Sequence, residues 1–102
     1  MESTHGLRLG QLVRSRAGRD AGRLYAVVGI LDERFVKLAD GKSRPIARAK
    51  KKNVKHVVPE TTVLEEIARK LEQNRPVTDA ELREALAREE KGRSQATQGG
   101  LA

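Results

Sequence analysis

The 102-residue chain has no cysteine, no tryptophan, one tyrosine (Tyr25) and one phenylalanine (Phe35), so aromatics make up only 2% of it. Without cysteine there are no disulfides, thiolate zinc sites or thiol nucleophiles. With so few rings the core must be aliphatic, built from Val, Leu, Ile and Ala. No apolar run approaches the ~20 residues a bilayer requires, and Met1–Gly6 lacks the basic-then-apolar order of a secretion leader. The expectation is a cytoplasmic protein with no membrane partner. The two histidines, His5 and His56, have no partner at metal-ligand spacing, so no metal or other cofactor is expected. Ser15, Asp20 and His56 are the only nominal triad; with no nucleophile elbow and little room for a closed site, catalysis and a small-molecule substrate are not expected.

Acidic residues are also in short supply. Lys and Arg number 21 against 14 Asp and Glu, a net charge of +7 and a sequence pI near 10.3. Such a balance is the footprint of a protein that meets polyanions, nucleic acid first, although a membrane surface would satisfy charge alone. Residues 1 to 60 carry fourteen basic and six acidic side chains, and residues 61 to 102 carry seven and eight. The positive excess therefore lies wholly in the first part of the chain.

That first part reads as short strands. Period-2 alternation over Leu9 to Arg16 puts Leu9, Gln11, Val13 and Ser15 on one face. Leu24 to Leu31 is apolar on both faces and fits a central strand. Arg34 to Ala39 makes a third strand, with Phe35 in the core. Asp40-Gly41 is a primed-turn signal that should return the chain into Lys42 to Ala47, a fourth strand that Pro45 confines to an edge or to irregular structure. Val54 to Val58 closes the set. Five short strands in about 50 residues predict a small SH3-like barrel over 9–58 behind a flexible N-terminus, 1–8.

Pro59 and Thr62-Val63-Leu64-Glu65, a capping-box pattern, mark a change to helix. One helix is expected from Val63 to about Gln73, broken by Asn74-Arg75-Pro76. A second, opened by Thr78-Asp79-Ala80-Glu81, should run to about Glu90. Each is too short to persist alone in water and needs a surface to pack on. The fold class expected is mainly β with an α appendage: a barrel, a two-helix extension over 61–90 and a disordered tail over 91–102.

Gly18-Arg19-Asp20-Ala21-Gly22-Arg23 joins the first two strands. Its glycines permit positive φ, which is all a hairpin needs. They also keep the loop thin where Arg14, Arg16, Arg19 and Arg23 cluster, and guanidinium offers bidentate donors to phosphate. Asp20 is expected to pair with a neighbouring arginine or to fix the loop. A second candidate surface is the acid-free stretch holding Lys42, Arg44, Arg48, Lys50, Lys51, Lys52, Lys55 and His56. A charge run is often no more than a solvated face, but one small barrel can bring the two stretches together. Tyr25 is expected to be half-buried rather than a stacking platform for a base.

The residues Val13 to Val28, centred on Gly18 and Gly22, resemble a KOW motif, the strand-loop-strand unit of ribosomal proteins and NusG-type transcription factors. In the fuller pattern a Lys precedes the second glycine and another glycine follows three residues later; here those positions are Ala21 and Tyr25. Taken with Val36 to Gly41 and the basic segment to His56, the chain is similar to small bacterial KOW-domain RNA-binding proteins. These in turn resemble the N-terminal barrel of a large-subunit ribosomal protein of archaea and eukaryotes. The resemblance implies binding to structured RNA, ribosomal RNA foremost, with ribosomal proteins as further partners. The alternative is a protein-interaction module of a ribosomal or transcription complex, with the two helices as its working surface. Sequence-neutral DNA binding also satisfies the charge.

Overall fold

A computed structural model describes residues 6–101, and 92–101 as helix backbone alone. Five strands, β1 (Gln11–Ser15), β2 (Leu24–Ile30), β3 (Phe35–Ala39), β4 (Lys50–Asn53) and β5 (Val57–Val63), form one antiparallel sheet in the order β4-β3-β2-β1-β5. This arrangement is consistent with an SH3-like barrel whose seam lies between β4 and β5, which a 3-10 turn, Val54–His56, connects. Helices α1 (Glu65–Glu72) and α2 (Asp79–Leu101) follow.

The two-sided apolarity of β2 has a direct structural reason: both faces of the sheet are covered. Val13, Tyr25, Val27, Val36 and Leu38 share one core with Leu7, Val54 and Val57. Leu12, Leu24, Ala26 and Ala39, on the alternate positions, share the other with Leu64 and Ile67 at α1 and Leu82, Ala85 and Leu86 of α2. Neither helix could bury its stripe alone, and the sheet's second face is the surface they need. The helices therefore complete the core as well as extending the chain.

Several expected boundaries shift. Lys42 to Ala47 is not a strand. Asp40 gathers the chain after it, its Oδ1 accepting the Lys42 and Arg44 amides at 2.9 and 2.8 Å, so an Asx-type loop replaces the primed hairpin turn. A 3-10 turn at Ile46–Arg48 comes next, and the returning strand is the lysine run itself. Of the expected strand Val54 to Val58, the first three residues are the seam turn. β5 instead passes through Pro59 to Val63, tolerated because β5 is an edge strand and Pro59 sits opposite Val13 at a register shift. Thr62 thus belongs to a strand, and the α1 cap position falls to Leu64, whose amide donates to the Gly10 carbonyl at 2.8 Å.

The second capping box forms as expected. The Glu81 amide donates to Thr78 Oγ1 at 3.1 Å and the Thr78 amide to Glu81 Oε1 at 3.0 Å. The break between the helices carries Asn74 at φ 58°. Helix α2 runs on to Leu101 where an end at about Glu90 and then a disordered tail were expected; no proline interrupts it, and Arg93, Gln95, Ala96 and Gln98 all suit a helix. At the other end, residues 1–5 of the expected flexible N-terminus lie outside the described residues, whereas Leu7 is buried and Arg8 faces Glu72 of α1 at 3.7 Å.

Candidate nucleic-acid interface

The loop between β1 and β2 closes on itself through short backbone bonds. The Gly22 amide donates to the Ser15 carbonyl at 2.7 Å and the Arg23 amide to the Asp20 carbonyl at 2.9 Å. Gly18 and Gly22 both sit at φ +88°, a conformation side-chain-bearing residues rarely adopt, which allows so tight a path. Arg19 and Arg23 are left exposed on its outside, while Asp20 turns inward and is only 9% exposed.

Asp20 is the joint between the loop and the second basic stretch. Ser15 Oγ donates to its Oδ1 at 2.8 Å and the Tyr25 hydroxyl to its Oδ2 at 3.0 Å. Lys50 Nζ lies 3.0 Å from Oδ2 and Lys52 Nζ 3.4 Å from Oδ1. Burial alone would raise this carboxyl's pKa. The hydrogen bonds from Ser15, Lys50 and Tyr25, with the charge of Lys50, outweigh it and hold the pKa well below the usual carboxylate range. Tyr25 shifts the other way, raised by burial and then by its bond to Asp20 and the Asp20 charge. The ion-pair partners of Asp20 are thus lysines of β4 and not a neighbouring arginine.

Strand alternation divides the lysine run. Lys50 and Lys52 stand opposite Leu38 and Val36 on the inward face, and Lys51 stands opposite Lys37 on the outward one. Lys52 is 9% exposed and also donates to the Ala17 carbonyl at 3.1 Å, so its ammonium is an internal strut and not a surface cation. Lys51 places its Nζ 4.5 Å from the centroid of Phe35, whose ring is half-exposed and not in the core.

A second joint ties the loop to Asp40–Arg44. Arg23 donates through a guanidinium nitrogen to Ser43 Oγ at 2.6 Å, and the Ser43 hydroxyl donates to Asp40 Oδ2 at 2.9 Å. Asp40 itself is held charged: burial opposes this, and the Lys42 and Arg44 amides, the Ser43 hydroxyl and the Arg23 charge prevail. The loop is seated on α2, with the Ile46 amide donating to Asp79 Oδ1 at 2.7 Å and Arg83 to the Gly41 carbonyl at 3.0 Å.

These joints bring Arg19, Arg23, Arg44 and Lys50 around one depression of about 320 Å³, with Tyr25, Asp20 and Ser43 in its lining. An adjoining hollow of about 460 Å³ has Arg14, Gly22, Arg23 and Lys42 on its walls and Glu90 of α2 at its side. Arg14 is partly committed, donating to the Gly22 carbonyl at 2.7 Å and facing Glu60 at 3.6 Å. Arg16, Lys55 and His56 are exposed at the β1–β5 end, where the Arg16 amide donates to the His56 carbonyl at 2.9 Å. Arg48 is exposed on the 3-10 turn after Arg44. Sequence reasoning missed Ser43 and Asp40 as the parts that hold the second loop; the Asp-Gly-x-Ser spacing of an Asx turn was their signal. Ser15 and Asp20 are bonded as a nominal triad would have them, but to fix the loop, and His56 is exposed.

Fold and surface together define a small β-sheet module whose joined loops line two adjoining cationic depressions. In sequence, a 59-residue stretch, 58% of this chain, is 36% identical to the large ribosomal subunit protein eL14 of Staphylothermus marinus, of which it covers 62%. A 53-residue stretch is likewise 36% identical to the large ribosomal subunit protein eL14 of Desulfurococcus amylolyticus and covers 55% of it. The chain thus spans between about half and two thirds of the length of these curated relatives. No protein-family model matches it. Over the matched part the chain is similar to these ribosomal proteins. Among the described residues, no helix is long and apolar enough to cross a membrane.

Proposed function

We propose that the protein is a non-catalytic RNA-binding module of the cytoplasm that docks on structured RNA, ribosomal RNA foremost. The observation that carries this reading is the joining of the glycine loop to Asp40–Arg44 and β4 through Asp20 and Ser43, which places Arg19, Arg23, Arg44 and Lys50 on one surface. Arg16, Lys55 and His56 are further exposed basic side chains at the β1–β5 end that would add to the attraction. Guanidinium and ammonium groups there neutralise phosphates and release counterions, a sequence-independent attraction. The relatives' place in a large ribosomal subunit supports ribosomal RNA as the target and ribosomal proteins as neighbours.

A second reading gives the helices a task of their own. A groove of about 420 Å³ between α1 and α2 has Val63, Leu64, Ile67 and Ala85 beneath and Glu65, Glu66, Glu84 and Glu89 along it, which suits a protein neighbour and repels RNA.

Titration of the full chain against a structured ribosomal RNA fragment over a salt series tests the first reading. We expect log K to fall with log salt by roughly 0.7 to 0.9 per phosphate contact, and Arg19→Glu with Arg23→Glu to abolish binding. Salt-independent binding, or full RNA affinity in that double variant, overturns it. Loss of ribosome association in Glu66→Lys with Glu84→Lys, at unchanged RNA affinity, transfers the working surface to the groove.

A further inference from the structure

We propose that the depression among Arg19, Arg23, Arg44 and Lys50 is a discrete anion site that seats one backbone phosphate of the bound RNA, with Ser43 as its positioning residue. The proposal rests on the RNA-binding reading and goes beyond it, because a diffuse basic face needs no pocket. Four cationic side chains come from three separate segments: the β1–β2 loop, the loop before the 3-10 turn, and β4.

The acidic groups nearby do not oppose an anion. Asp20 already accepts from Ser15, Tyr25, Lys50 and Lys52. Asp40 accepts from two backbone amides and Ser43. Both carboxylates are therefore spent on holding donors in place. Ser43 joins the two halves by accepting from Arg23 while donating to Asp40, which fixes one guanidinium nitrogen of Arg23; the same guanidinium also meets the Tyr25 hydroxyl, and its five-donor fork still has N–H groups to offer an oxyanion. Lys50 is shared in the same way. Its ammonium has three protons, of which Asp20 takes one. Cations held by neutralised acceptors rather than by each other's repulsion are pre-organised for phosphate, which lowers the ordering cost of binding. The depression is lined mainly by charged and polar side chains, and Tyr25, its one aromatic, is 3% exposed and presents no open ring face on which a base could stack. Phosphate, and not the nucleobase, is the chemistry it fits.

Two readouts on the full chain test this. In NMR titrations at constant ionic strength, inorganic phosphate should perturb the amides of Arg19, Ser43, Arg44 and Lys50 and the Arg23 side chain, while equivalent chloride does not. In RNA titrations, Arg44→Gln should weaken binding by roughly tenfold and lower the salt slope by about 1. Ser43→Ala, which removes no charge, should weaken binding while leaving the slope unchanged. Arg75→Gln, exposed between the helices, is the control. A thermal melt verifies folding of each variant, and Arg19→Gln, on the exposed loop, stands in should Arg44→Gln unfold.

Wild-type affinity and slope in both Arg44→Gln and Ser43→Ala, with Arg19→Glu/Arg23→Glu still defective, overturn the pocket and leave the RNA reading intact. Phosphate shifts in a wild-type chain that shows no salt-dependent RNA binding overturn RNA as the occupant and assign the site to a free anion.

Discussion

Replacing Asp20 by alanine removes the one acceptor that four donors share. The larger consequence falls on Lys52, whose side chain is 10% exposed and whose ammonium would keep only the Ala17 carbonyl. Removing one partner of a buried ion pair costs about 3–5 kcal/mol, because the remaining charge is desolvated without compensation. Lys50 is a third exposed and adds little, since water can replace its partner. Against a total stability of about 5–15 kcal/mol, the variant should lose a large fraction, and at ~4–8 °C per kcal/mol its Tm should fall by roughly 15–30 °C. Urea denaturation of Asp20→Ala, Lys52→Met and the double variant supplies the cycle. The double variant should be more stable than Asp20→Ala alone, because its lysine charge has gone with its partner. The sign with pH is also determined. The folded carboxyl has the lower pKa, so the unfolded chain takes up protons first as pH falls. The stability Asp20 contributes is complete above about pH 4 and is lost below it, toward the depressed folded value. A loss under about 1 kcal/mol at neutral pH, or additive single effects, would refute a charge-satisfied hub.

Two further perturbations probe how the helices belong to the fold. Leu82 is fully buried between α2 and the sheet, so Leu82→Ala should cost about 2–5 kcal/mol in urea denaturation; an effect below about 1 kcal/mol would mean that the helices do not share the core. Gly41 and Gly22 both have positive φ, yet a Cβ on Gly41 would lie 2.3 Å from the Asp79 carbonyl oxygen, whereas one on Gly22 meets nothing within 4 Å. Gly22→Ala should therefore cost only the ~1–2 kcal/mol of left-handed backbone, and Gly41→Ala clearly more, because α2 must shift; equal Tm losses would contradict the close seating of that loop.

The strands that were legible from the sequence are those whose periodicity is carried by apolar side chains. Leu24 to Ile30 and Phe35 to Ala39 announce themselves because most of their apolar positions, Leu24 to Val28 and Val36, Leu38 and Ala39, pack into one or other of two cores. The fourth strand was misplaced because Lys50-Lys51-Lys52-Asn53 has no apolar residue to alternate, while Lys42 to Ala47 follows a strong turn dipeptide. What makes the lysine run a strand is pairing with β3 and the buried carboxylate on its inward side, both contributed from elsewhere in the chain. Likewise, Pro59 looked like a terminator because local chemistry forbids a ladder donor there. Only the topology, with β5 at the edge, makes its missing N–H harmless.

The same physics separates what was readable in the candidate site from what was not. A count of basic residues finds the surface but assigns every lysine of the run the same role. The sheet then gives neighbours one residue apart different roles: Lys51 lies outward over Phe35, Lys52 is an internal strut, and Lys50 spans both environments. Asp20 was expected to pair with an arginine or to fix the loop, and it does the second with lysines instead. It belongs to the inward set, where a carboxylate is what allows two ammonium groups to approach the barrel interior. Net charge therefore overstates the cations that a phosphate can meet, and part of the positive excess is consumed in shaping the loop. The joined surface offers Arg19, Arg23, Arg44 and the remaining donors of Lys50, and Arg16, Lys42, Arg48, Lys51, Lys55 and His56 are exposed beyond it. Their number bounds the salt slope that RNA binding can display: a measured slope that required every basic residue of the first sixty would contradict the burial of Lys52.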